Sequence, residues 1–181
     1  MNLAYRQGFR RTSLADIAKE ARVPLGNVYY YFKTKEEIGR AVVETHLARV
    51  RLLQQRLNTM SSAGDRLCAF VQMTLDNRKM LARSGCPIGT LCTELHKDSG
   101  VLAKQSSALF TELLSYLEKQ FRSLGTRADA RGLAVHLLAA LEGIAVIAHS
   151  LQDATVVAME ADRLQGWIRG LDVKTNEGDS A

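Results

Sequence analysis

The sequence predicts an all-α protein: an N-terminal head of three short helices, then a larger helical domain. Three observations predict this. Apolar residues recur at spacings of three and four almost everywhere, which is the period of a helix. The period-two alternation of strands is absent. Only two prolines, Pro24 and Pro87, occur in 181 residues, and the 13 glycines are scattered. Few breaks are therefore obligatory, and long helices are favoured. Hydrophobic residues make up 46% of the chain and charged residues 24%, as in a globular protein with a real core.

Taken in order, a short helix runs to about Gln7. A second spans Leu14 to Ala21, with Leu14, Ile17, Ala18 and Ala21 on one face. Thr12 or Ser13 can cap it, with Asp16 three residues after Ser13. A third covers Leu25 to Tyr31, with Val28 and Phe32 pointing inward. Thr34 followed by Glu37 reads as a capping box that opens a long fourth helix reaching about Leu57. Beyond Ser61–Gly64 the spacing predicts a helix from Asp65 to about Arg83, a break at Gly85–Pro87, and a shorter helix to His96. Further helices follow at about 100–124, 128–150 and 155–170. The polar tail from Lys174 to Ala181 predicts disorder. The expected organisation is a head over 1–45, a second domain over 46–172 and a tail over 173–181.

Charge divides the chain. Residues 1–57 hold 11 Lys/Arg and 5 Asp/Glu; the remaining residues hold 13 and 14. The basic character belongs to the N-terminal third, which points to a polyanion such as nucleic acid. No secretory signal and no uninterrupted apolar run of membrane length is read, since His136 and Glu142 break the stretch from Leu133 to Ala148; no membrane partner is expected. Three cysteines, Cys68, Cys86 and Cys92, show no disulfide spacing, so a cytoplasmic protein is expected. A Gly-rich phosphate loop and a nucleophile elbow are both missing, which argues against an enzyme. No cofactor is expected. Cys92 and His96 lie four apart with Cys86 near, so a metal or thiol sensor is an alternative, although no acidic cluster completes a ligand set.

Two short helices joined by Arg22-Val23-Pro24 have the layout of a helix-turn-helix. The second is short enough to lie in a major groove. It carries Tyr29, Tyr30 and Tyr31 in succession. A helix turns by about 100° per residue, so at least two of the three must be exposed. Beside Asn27, Lys33 and Lys35 they read as a contact surface: hydroxyls and amines reach phosphate oxygens, and Asn can read a base edge. A surface aromatic cluster for protein contacts is the alternative.

The run from Gly8 to Ala18, then Val23, Gly26, Tyr29 to Phe32 and Lys33-Thr34-Lys35-Glu36-Glu37, resembles the DNA-binding domain of the tetracycline-repressor (TetR/AcrR) family. Gly85-Cys86-Pro87-Ile88-Gly89 resembles a C-terminal subgroup that includes LmrA-type regulators. The resemblance implies that Thr12 and Ser13 touch phosphate at a helix N-terminus and that Gly26 allows close approach to the groove. It also implies that Leu25 and Asn27 face bases, that Tyr29, Tyr30 and Tyr31 contact bases or phosphates, and that Lys35 binds phosphate. Three departures stand out. Arg22 and Pro24 replace the usual glycine and serine of the turn; a left-handed backbone would cost Arg22 about 1 kcal/mol. Leu25 replaces a common lysine, and could meet a thymine methyl. The first helix is short.

The helix over 128–150 is apolar on most of its circumference, so it needs burial on two sides. The resemblance implies a dimer built on this helix and on 155–170, with Leu137, Leu141, Ile144, Leu164 and Trp167 at the interface and a two-fold axis matching a palindromic operator. It also implies a pocket for a small apolar or amphipathic effector between the helices near 65–124. Candidate lining residues are Phe70, Met73, Cys86, Leu91, Leu95, Phe110, Leu114, Glu142 and Ile147. Glu142, inside an apolar helix, either selects a cationic or hydroxylated ligand or pairs with Arg131. The expected function is a ligand-responsive transcriptional repressor.

Overall fold

The computed structural model describes the backbone of residues 2–97, 100–125 and 129–176, with side chains except at 2, 4 and 172–176. All regular structure among them is helical: α1 Asn2–Gln7, α2 Leu14–Ala21, α3 Leu25–Tyr31, α4 Lys35–Leu57, α5 Ala63–Asp76, α6 Arg78–Ser84, α7 Pro87–His96, α8 Val101–Ser123, α9 Ala130–Leu151 and α10 Thr155–Asn176. The chain forms two compact units. One is Met1–Arg49 with Pro87–Phe110; the other is Val50–Cys86 with Thr111–Ala181.

The first unit closes on a core of Phe9, Ala18, Val28, Ile38, Val43, Leu91, Cys92, Leu95 and Leu109. This differs from the boundary expected at residue 45. Three short helices and the start of α4 cannot bury enough apolar surface by themselves, and α7 with the start of α8 supplies the missing side. Glu94 of α7 accepts the Arg10 amide at 3.1 Å. It lies so close to Gly8 (φ +88°) that a Cβ there would stand 2.7 Å from its Oε1.

In the second unit α10 packs on α5 and α9, and α9 packs on α6. Leu67, Val71, Leu117, Phe121, Leu137, Ala148, Val157 and Ile168 are fully buried. Phe121 meets Trp167 with ring centroids 5.7 Å apart. Two boundaries depart from the sequence reading. The helix expected over 65–83 is split at Asn77, whose side-chain amide donates to the Met73 carbonyl at 2.8 Å and competes with the helical ladder. The last helix continues to Asn176, past the expected end; residues 177–181 of the expected tail lie outside the described residues. With mean hydropathy 1.7, α9 has the length and composition of a membrane span. His136 and Glu142 interrupt the run without lowering its average below that level.

Candidate nucleic-acid interface

The site is built from α2, the turn and α3. Ser13 caps α2: its Oγ accepts the Asp16 amide at 3.1 Å, and Asp16 Oδ2 accepts the Ser13 amide at 2.9 Å. The bonds from Ser13 hold the Asp16 carboxyl below its ordinary range. Thr12 differs from expectation. It is 2% exposed, and its hydroxyl donates inward to the Gly8 carbonyl at 2.8 Å, so its side chain is a brace of the head. Arg22 ends α2 in the left-handed region (φ 56°, ψ 42°), as the family's glycine position implies.

Only Val28 of α3 is buried. Gly26 and Asn27 are exposed. Leu25 is 40% exposed, Tyr29 46%, Tyr30 73% and Tyr31 74%. The Tyr30 and Tyr31 rings meet edge to face, 5.1 Å apart. Lys33 places its amine 5.8 Å from the Tyr30 ring centre and donates to the Tyr29 carbonyl at 2.9 Å, which closes the end of α3. Phe32 is half-buried against the core. Thr34 caps α4 by accepting the Glu37 amide, while Glu37 reaches the Lys33 amide, one residue earlier than a capping box has it. Lys35 is half-buried; its amine donates to the Arg10 carbonyl at 2.6 Å and sits 5.3 Å from the Phe9 ring centre. What the residues bring together is a short helix with one inward anchor and an outward row of amide, phenol and amine groups. Such a row can donate to phosphates and base edges.

The other predicted residues are dispersed. Leu91 and Leu95 belong to the core of the first unit, and Phe110 packs against it. Phe70 is buried in the second unit, where Met73 and Leu114 are half-buried. Cys86 Sγ lies 3.1 Å from Glu142 Oε1, and burial pushes the Glu142 carboxyl above its ordinary value. Glu142 is therefore not paired with Arg131, which faces Glu118 at 3.5 Å. Ile147 is 50% exposed and points away from the interior. Leu137, Leu141, Ile144 and Leu164 are buried within the chain itself, and Trp167 is half-buried between Phe121 and His136. An all-round apolar helix hides which of its faces is inward; the outward apolar residues here are Val135, Val146, Ile147, Leu151 and, on α10, Met159. The Cys92 thiol meets the Ser106 carbonyl at 3.3 Å, and the His96 ring contacts the Cys92 carbonyl and the Ser107 hydroxyl. No group of three metal-ligating side chains occurs among the described residues.

Known proteins share the sequence pattern and the fold. The family model for bacterial regulatory proteins of the tetR family matches residues 1–42, and the model for the C-terminal domain of LmrA/YxaF-like transcriptional regulators matches residues 62–162. The chain belongs to the TetR family. It is a transcriptional regulator with a DNA-binding helix-turn-helix head. The HTH-type transcriptional repressor NemR of Escherichia coli (strain K12) is 32% identical over 145 residues, which are 77% of this chain and 62% of that protein. A regulator from the lacX 3′ region of Lactococcus lactis subsp. lactis is 28% identical over 171 residues, 90% of this chain and 86% of its own length. A TetR regulator from Legionella pneumophila superposes with a TM-score of 0.81 at 20% identity, covering 93% of this chain and 90% of that one. Escherichia coli NemR in its reduced form gives 0.78 at 21%, covering 94% and 91%. The second helix of the motif is α3. Sequence reasoning found that helix but missed Glu94, whose role depends on a contact between residues 84 positions apart in the chain.

Proposed function

We propose that the protein is a cytoplasmic homodimeric repressor. Two copies of α3 enter major grooves of a palindromic operator, and a small apolar or amphipathic effector held in the C-terminal domain loosens that grip. The observation that carries this reading is the division of labour in α3: Val28 anchors it, while Asn27, Tyr29, Tyr30 and Tyr31 face outward in the basic third of the chain. Asn27, Gly26 and Leu25 meet base edges; the tyrosines, Ser13 and Lys35 hold the backbone. The partner subunit covers the outward apolar residues of α9 and α10. An effector that prefers the released state by about 1–3 kcal/mol shifts operator affinity about 5–150-fold. The test is fluorescence anisotropy with the DNA upstream of the protein's own coding sequence, over a salt series. Expected are a steep fall in affinity with salt and an Asn27→Ala loss of about tenfold on that DNA, with little change on random DNA. Equal affinity for both DNAs overturns the reading.

A thiol signal is the second reading. It is favoured by the Cys86–Glu142 contact at 3.1 Å and by similarity to NemR, which has been solved in a reduced form. Oxidation of the Cys86 sulfur would remove the thiol hydrogen that Glu142 accepts and so disturb this buried contact. Oxidant-driven release from DNA that persists unchanged in Cys86→Ser counts against it.

A further inference from the structure

A cavity of about 500 Å³ opens in the first unit beside Lys35, a volume within the range of small-molecule sites. Among the described residues three cations line it, Arg10, Lys35 and Arg40, with one carboxylate, Glu36. Neither Lys35 nor Arg40 forms an ion pair among the described residues. Phe9, Leu95, Val101 and Leu102 give the rest of the lining an apolar stretch, beside which Gln105 adds one neutral amide. Val101 is 70% exposed, an uncovered valine at the rim. Val101 and Leu102 also form the first turn of the 23-residue α8, so the positive end of that helix dipole faces the same space. Cationic head and greasy wall together complement one chemistry.

We propose that this cavity is an effector site within the DNA-binding unit and that it takes an anionic amphiphile, a carboxylate or phosphate monoester carrying a short apolar tail. The anionic group lies among Arg10, Lys35 and Arg40, and the tail covers Val101, Leu102 and Leu95. Occupancy neutralises the charge around Lys35, the lysine assigned above to operator phosphate, so the ligand and DNA compete. This mode is separate from any effector in the C-terminal domain. It acts by occupying charge and needs no change of shape.

Isothermal titration calorimetry of the full chain without DNA tests the site, so its outcome is independent of the repressor reading. The probes are decanoate, decanol and inorganic phosphate. Decanoate binds; decanol, which lacks the charge, and phosphate, which lacks the tail, bind at least about tenfold more weakly. Arg40→Glu and Val101→Asp, both at exposed positions, each weaken decanoate about tenfold while circular dichroism and melting temperature stay those of the parent. The milder pair Arg40→Gln and Val101→Ser moves binding in the same direction if either charged variant melts early. Absence of decanoate binding, decanol binding as tightly, or undiminished binding in well-folded variants overturns the proposal.

Discussion

Helices α3 and α9 solve opposite problems. Of the seven residues of α3 one is buried, whereas α9 buries Ala134, Leu137, Leu138, Leu141, Ile144, Ala145 and Ala148. Helix α3 has little packing of its own and is held by the head it belongs to, which frees its remaining residues for contact. Helix α9 is a load of core, and what remains outside it, Val135, Val146, Ile147 and Leu151, is still apolar. Polar aromatic exposure suits a wet, charged partner, and apolar exposure suits a second protein surface. The two surfaces of one chain thus advertise different partners.

The sharpest way to break this contrast is Leu137→Ala. Leu137 is fully buried, so truncation costs about 2–5 kcal/mol in chemical denaturation, whereas Tyr30→Ala stays within about 0.5 kcal/mol. If Leu137→Ala instead leaves stability intact and yields monomers, the interface lies on the face that the structure buries. Next in size is Val146→Asp, on the outward face of α9. Burying an unpaired carboxylate between subunits is expected to weaken self-association about a hundredfold in sedimentation velocity, with the helix content unchanged. Unaltered association would place the contact elsewhere.

How legible each helix was follows from its chemistry. Three consecutive tyrosines cannot all face inward, so the exposed side of α3 could be read from the sequence, and the cap at Ser13 and the strained turn at Arg22 could be read with it. Helix α9 is apolar all round, and periodicity carries no information when every face scores alike; Leu137, Leu141 and Ile144, expected at an interface from the resemblance, are buried within the chain itself. The half of the head contributed by 87–110 was also illegible, because contacts such as Glu94 with the Arg10 amide leave no local pattern. Thr12 shows the same limit: a threonine at a helix start looks like a phosphate ligand until its hydroxyl is seen to point at Gly8.

A smaller effect distinguishes the buried ionisable groups of the two units. His46 on α4 is 8% exposed and lines a cavity of about 20 Å³ with Tyr5, Thr90 and Glu94. Burial, then the Arg49 charge, holds its pKa below the ordinary value of 6.5. The unfolded chain therefore takes up a proton first as pH falls, and stability is lost from about that value downward. Glu142 behaves oppositely. Its raised pKa means that stability is full below the ordinary carboxyl value and falls as pH rises through the folded one. Denaturation across pH should show the acid-side loss vanish in His46→Leu and the loss above the carboxyl range vanish in Glu142→Gln. Unchanged profiles in both variants would remove these groups from the account.

The smallest contrast concerns two residues with the same backbone. Arg22 (φ 56°) ends α2 and Gln152 (φ 53°) ends α9, each in the left-handed region that favours glycine. Their side chains differ. Gln152 donates to the Ala82 carbonyl at 3.0 Å and to the His149 carbonyl at 2.7 Å, tying the end of α9 to α6. Arg22 is exposed and makes no side-chain hydrogen bond among the described residues. Glycine at position 22 therefore relieves strain and sacrifices nothing but unfolded-state rigidity, for a net gain of about 0.5 kcal/mol. At position 152 the same relief is offset by two lost hydrogen bonds, each worth about 1 kcal/mol, so Gln152→Gly lowers stability. Opposite shifts in melting temperature for Arg22→Gly and Gln152→Gly are expected. Shifts of the same sign would mean that strain alone, and not the tether to α6, sets the energy of these helix ends.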